Sequence, residues 1–218
     1  MQIYQIKQIL PTKDWKLNYN NYNIDMLKKF LLILILISTI SMPTIAADKN
    51  YVGLMTILPE KNAYKHNNMG LEYLNMGQYE AAIQEFKIAI SLNPDTQATS
   101  VYFNNLGETY LRLNYFAGAQ DCFENAVKRY PLQFKYYLNL VTSFQLQGIL
   151  DSRLNYYTRN KKTPLDDITI GLIYIAKGQT SRGIAILDRF IMNEPKLIIT
   201  DGVKYYVQSL VESQKSGR

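Results

Sequence analysis

The sequence predicts an all-α chain, a solenoid of helical hairpins closed by a C-terminal capping helix. A glycine is followed 24 residues later by a proline three times, from Gly70 to Pro94, Gly107 to Pro131 and Gly171 to Pro195. Inside each interval similar residue types recur at matching offsets: Tyr73, Gly77, Ala82, Phe86 and Ala89, then Tyr110, Asn114, Ala119, Phe123 and Ala126, then Tyr174, Gly178, Gly183, Leu187 and Phe190. Past Pro195, Val203, Tyr206, Val207, Leu210 and Val211 form one apolar stripe at helical spacing. A plain helical bundle is the alternative, but self-similarity at a fixed interval marks stacked units that bury a shared core.

This spacing resembles the tetratricopeptide repeat, a helix-turn-helix unit of about 34 residues with a bulky residue, Leu-Gly, Tyr, then Ala, Phe and Pro. In the first copy His66, Met69, Gly70, Tyr73, Gly77, Tyr79, Ala82, Phe86, Ala89 and Pro94 carry the likeness. Small residues are expected where two antiparallel helices meet, so Gly70 is paired with Ala82 and Gly107 with Ala119. Tyr73, Phe86, Phe103, Tyr110 and Phe123 are expected to fill the space between hairpins. Gly77, Asn114 and Gly178 stand where the first helix ends, a place that favours left-handed backbone. Each proline stops a second helix, because it lacks a donor and restricts the residue before it.

Between Pro131 and Pro164 lies a worn copy that retains Tyr137, Leu140, Phe144, Gly148 and Tyr157. Val141, Arg153 and Asn160 replace its small residues, so this hairpin is expected to open or shift. The repeats fall at about 63–96, 100–133, 134–163 and 164–197, with the capping helix at about 201–213. Successive glycine positions are 37, 34 and 30 residues apart, which predicts a longer first connection and a shortened third unit. A helix after the last repeat is what a solenoid uses to cover its end.

Before the repeats, residues 1–25 are rich in Asn and Tyr without hydrophobic period and read as a disordered or untranslated leader. Met26, Leu27, Lys28 and Lys29 then open an apolar run from Phe30 that closes on Ala46 and Ala47. Basic start, apolar centre and small residues before Asp48 make a signal peptide over 26–47, cleaved after Ala47. An uncleaved anchor is the competing reading, since the 18 residues from Phe30 to Ala47 fall within the roughly 17–25 a spanning helix needs. Either reading sends the repeats across the membrane: exported, periplasmic or extracellular in one case, membrane-anchored in the other. No cysteine follows the run, which argues against a bacterial lipoprotein. Residues 48–62 form a lead-in, apolar from Tyr51 to Leu58 and ending at Pro59.

The chain carries a formal net charge of +6, but 19 of its basic and 16 of its acidic residues follow Ala47, too mild an excess to argue for nucleic acid. Arg159, Asn160, Lys161 and Lys162 close the second helix of the third unit, where cations meet the carbonyl end. Cys122, the single cysteine, reads as a small core residue. His66, the single histidine, takes a packing position. Asp166 and Asp167 precede an apolar helix and read as capping residues. Thr200 or Asp201 is expected to cap the last helix. Phosphate loops, metal-ligand sets and nucleophile elbows do not occur in the sequence, so neither catalysis nor a cofactor nor a metal is expected.

The resemblance implies a concave groove lined by the first helices, where proteins of this family bind peptides. Tyr64, Asn67, Leu71 and Leu74 take that face in the first repeat, and Asn104, Glu108, Leu111 and Arg112 in the second. Asn67 and Asn104 are the expected hydrogen-bonding partners of a peptide backbone, so Asn104→Ala is expected to leave stability untouched. Some family members clamp carboxylates with groove Lys, Asn and Arg; Asn67 and Leu71 stand where that clamp needs Lys and Asn, so it is not expected here. In the fourth copy Ile168, Leu172 and Ile175, with Leu165 and Ala176, make the stripe wholly apolar, to be covered by the C-terminal helix or by a partner. The function expected is a non-enzymatic exported adaptor binding a peptide or helix of an envelope protein. The alternative is a membrane-anchored assembly factor acting through its outer faces, in which case the membrane is also a partner.

Overall fold

The computed structural model describes residues 59–216. The leader, the signal or anchor segment with its cleavage point, and the lead-in through residue 58 lie outside these residues. Among the described residues every regular element is a helix: α1 (Pro59–Asn75), α2 (Tyr79–Leu92), α3 (Gln97–Arg112), α4 (Phe116–Arg129), α5 (Phe134–Leu146), α6 (Leu150–Arg159), α7 (Asp166–Ala176), α8 (Thr180–Asn193) and α9 (Ile198–Ser216). Consecutive pairs α1–α2 to α7–α8 are four hairpins, and α9 follows as a single helix that packs on α8 and reaches α5. The described residues form an all-α helical-hairpin solenoid with a capping helix.

The turn inside each hairpin is built the same way. Gly77 adopts φ 75° and Asn114 φ 57°, the left-handed conformation that ends an α-helix. Around Gly77, the Gln78 N–H donates to the Tyr73 carbonyl at 2.9 Å and the Gly77 N–H to Leu74 at 3.1 Å. The same two bonds recur at Asn114 and Tyr115, Gly148 and Ile149, and Gly178 and Gln179. Each second helix begins nine residues after the glycine position, at Tyr79, Phe116, Leu150 and Thr180.

Close approach sets glycine against a ring in the first two hairpins, and in the fourth sets Gly171 against Leu187 and the backbone of Gly183. A Cβ at Gly70 would lie 2.6 Å from the Phe86 ring, and one at Gly107 2.6 Å from the Phe123 ring. Phe86 and Phe123, expected between hairpins, thus lie over the glycine of their own hairpin, and both are fully buried. Val141 holds the same position in the third hairpin, and there α5 packs more extensively against α7 than against its own partner α6. α6 has ten residues and none of them is buried. A branched side chain where a ring must settle keeps the hairpin open.

The uneven spacing resolves into helix lengths. Four residues separate α2 from α3 and four separate α4 from α5, so the first connection is not longer. The extra residues instead extend α3 at its start, where Thr99 donates its hydroxyl to the Asn93 carbonyl and ties the new helix to the end of the old one. Thr200 makes the equivalent bond to the Glu194 carbonyl. α9 therefore begins at Ile198, with Thr200 and Asp201 inside its first turn rather than capping it. Pro59, expected to end the lead-in, opens α1, where its missing N–H leaves nothing unpaired.

One large apolar cluster joins Phe123, Phe134, Leu140, Phe144, Ile168, Leu172, Leu187, Phe190, Ile199, Val203 and Val207. It fuses the second, third and fourth hairpins with α9. A smaller cluster of Ala82, Phe86, Leu106 and Cys122 joins the first two hairpins. Burial pushes the Cys122 thiol up to about 12, so it stays protonated at neutral pH. His66 bridges α1 and α2 through Nδ1, 2.6 Å from Glu85 Oε2.

Candidate functional site

The first helices α1, α3 and α5 present corresponding faces, and a chain of amides runs across them. Asn105 Nδ2 donates to Asn67 Oδ1 at 2.8 Å, and Asn139 Nδ2 donates to Asn104 Oδ1 at 2.8 Å. The two bonds are equivalent: each joins the residue three before one hairpin's glycine position to the residue two before that of the next. Asn104 Nδ2 continues the chain to Glu108 Oε1 at 2.8 Å, where Asn139 Nδ2 arrives at 3.0 Å and Lys135 Nζ at 2.7 Å. Burial alone would push the Glu108 carboxyl up, but the bonds from Lys135, Asn104 and Asn139 outweigh it and hold the group below its ordinary value.

That balance sets a pH dependence. A depressed folded-state pKa contributes stability above the ordinary carboxylate value, about 4.3, and the contribution is lost as pH falls through the folded value. Thermal melts of the chain and of Glu108→Gln should therefore differ most at neutral pH and converge as the pH falls below about 4. A constant gap across that range would show that Glu108 has no such role.

Asn67 and Asn104 are 5% and 3% exposed, Asn67 accepting from Asn105 and Asn104 bonding through both ends of its amide, which corrects the expectation that they await a peptide backbone. Two helices packed side by side close over polar groups that a single helix would leave open. Ile168 and Leu172, expected to be covered by the C-terminal helix or by a partner, are buried in one cluster with Ile199, Val203 and Val207 of α9, so neither is open to a peptide. Ile175 is half-buried, and its side chain would clash with a Cβ placed on Gly183 of α8. Leu71 and Leu74 pack half-buried on the small cluster and Leu111 on the large one. Tyr64 and Arg112 remain exposed, and Glu108 is half-buried.

The open part of the face therefore spans three hairpins. Tyr64 is 62% exposed, Val101 42% and Leu146 49%, with Lys135 and Arg112 exposed beside them. Asn105 and Asn139 are the residues a single-helix reading misses; aligning the repeats shows asparagine two positions before Gly107 and Val141. Asp167, expected only to cap, is buried and holds Lys161 Nζ at 2.7 Å. Asp166 closes the loop before α7 by accepting from the Lys162 and Thr163 N–H groups at 2.8 Å each. Among the described residues no three His, Cys, Asp or Glu side chains converge as metal ligands do, and no helix is long and apolar enough to cross a membrane.

Fold and face together define a repeat protein built from helical hairpins. Residues 63–96 and 101–131 each match a family profile described as tetratricopeptide repeat, one on each of the first two hairpins. The first two hairpins are tetratricopeptide repeats. Over 80 residues it is 32% identical to protein O-mannosyl-transferase tmtc2 of Xenopus laevis, a match covering 34% of this chain and 10% of that protein. The chain thus spans about a tenth of that relative's length. Among solved structures it is similar to the thermophilic TPR protein TTC0263 of Thermus thermophilus, at 20% identity and TM-score 0.41 over 70% of this chain and 82% of that one. It is also similar to the second TPR domain of human RPAP3, solved with an HSP70 peptide, at 14% identity and TM-score 0.42 over 61% of this chain and 97% of that one.

Proposed function

We propose that the chain is a non-enzymatic protein–protein interaction scaffold, an exported adaptor that holds a peptide or helix of an envelope protein against α1, α3 and α5. The observation that carries this is the amide ladder. It fixes three first helices at one spacing, so the face bearing Tyr64, Val101 and Leu146 is formed before any partner arrives, and a preformed face loses little entropy on binding. Export is supported by the basic, apolar and small-residue pattern of residues 26–47. The match to the mannosyl-transferase covers too little of that protein to carry its activity here.

A second reading, an anchored assembly factor acting through its outer side, is favoured by a cleft of about 400 Å³ between α4 and α6, lined by Val127, Arg153, Tyr156 and Tyr157. Photo-crosslinking groups placed at Tyr64, Val101 or Tyr156 in the full-length chain distinguish the two. Crosslinks to one partner from Tyr64 and Val101, with mature protein beginning at Asp48, are expected for the exported adaptor. Crosslinks from Tyr156 alone, on an unprocessed membrane-bound chain, would establish the assembly factor instead.

A further inference from the structure

α6 has ten residues where α2, α4 and α8 each have fourteen. All four begin in the same register, so the deficit is the last turn of α6. The intact junction between the first two hairpins shows what that turn does. There Ile90, in the last turn of α2, joins a cluster that also holds Phe103, Leu106, Tyr110 and Cys122. Counted from the hairpin glycine, the corresponding positions of the fourth hairpin are Asp167, Ile170, Tyr174 and Ile186. Above them α6 has already ended at Arg159, and a cleft of about 410 Å³ takes its place.

Cations surround the cleft. Lys161, Arg182 and Arg189 line it against one carboxylate, Asp167, which Lys161 already meets at 2.7 Å and Arg189 approaches at 3.8 Å. Arg182 lies 4.2 Å above the Tyr174 ring. A guanidinium stacked by its face keeps its edge free to pair with a carboxylate through two hydrogen bonds. An adjoining cleft of about 360 Å³ shares Lys161 and Asp167 and runs on to Lys162 and Glu194. From Arg182 to Asn193, α8 extends about 16 Å, room for about five extended residues.

We propose that this cleft docks an acidic peptide segment of a partner protein. A large apolar side chain of the segment takes the place of the missing helical turn over Ile170, Tyr174 and Ile186. Its carboxylates pair with Arg182 and Arg189, and Glu194 at the far end keeps them at the arginine end. The cleft is separate from the face of α1, α3 and α5, and its occupation does not depend on what binds there.

Fluorescence anisotropy of labelled EEFEE peptide with the full-length chain tests this, with EEAEE and KKFKK as comparisons. Saturable binding of EEFEE is expected, weakened about tenfold by the pair Arg182→Gln and Arg189→Gln and by loss of the phenylalanine, and absent for KKFKK. Both arginines are exposed, so the variant should melt as the parent does. Arg182→Gln alone, removing a guanidinium stacked on Tyr174, should weaken binding in the same direction. Tyr64→Ala with Val101→Glu should leave EEFEE binding unchanged. The proposal is overturned if EEFEE does not bind or binds the arginine variants equally. It is also overturned if inorganic phosphate or phosphatidylglycerol vesicles displace EEFEE as well as unlabelled peptide does, which would make the cleft a general anion site.

Discussion

Gly107→Ala is expected to destabilise the chain by about 1–3 kcal/mol through overpacking. Alanine is the better helix former by about 1 kcal/mol, so helix propensity alone predicts the opposite sign. The Phe123 ring decides the outcome. A Cβ at Gly107 would stand 2.6 Å from it, and the ring is fully buried among Ala119, Tyr137 and Phe144 in the cluster that fuses the later hairpins. It has nowhere to withdraw without opening the α3–α4 hairpin. Gly118 supplies the comparison within the same hairpin. A Cβ there also meets a ring, that of Tyr115, but Tyr115 is exposed and can swing into solvent. Gly118→Ala should therefore be neutral or mildly stabilising in urea unfolding, while Gly107→Ala loses midpoint. Equal effects of the two substitutions would remove the glycine–ring contact as the basis of hairpin closure.

How much of this was legible in the sequence follows from the range of each interaction. Gly77, Asn114, Gly148 and Gly178 act through their own backbone, and their spacing alone locates all four turns. The shortened third unit was legible as well. The interval falls from 34 to 30 residues: α6 is four residues shorter than α4, α7 starts two residues nearer Gly171 than α5 starts to Val141, and the connection between α6 and α7 is two residues longer. The lengthened first interval reads as loop, yet it is helix at the start of α3. The Thr99 bond to Asn93 that secures that start links residues across a turn no helical pattern describes. The family resemblance was readable because glycine, tyrosine, phenylalanine and proline each meet a local demand. The candidate groove was less readable, because its polar residues answer to the next helix. Asn67 looks open on a wheel of α1 and is closed by Asn105 of α3. The apolar fourth stripe announced its burial, but only the packed chain joins Ile168 and Leu172 to Ile199, Val203 and Val207 of α9.

The second large effect concerns the ladder. Asn104→Ala is expected to cost about 1–3 kcal/mol, because it removes two hydrogen bonds, one of them to a charged carboxylate. Half-buried Asn139 loses the acceptor at 2.8 Å and half-buried Glu108 a donor at 2.8 Å. Thr142→Ala on the same face is the control; its hydroxyl is exposed and bonds only within its own helix, to the Leu138 carbonyl. A double-mutant cycle of Asn104→Ala and Asn139→Ala should show coupling of at least about 0.5 kcal/mol, since each removes a bond the other shares. If Asn104→Ala melts like the parent and the cycle shows no coupling, the amides are solvated and free, and the face would be available for direct hydrogen bonding to a peptide. If the expected loss is found, partner contact must instead run through Tyr64, Val101, Leu146 and the charges beside them, with the asparagines fixing the spacing of the helices that carry them.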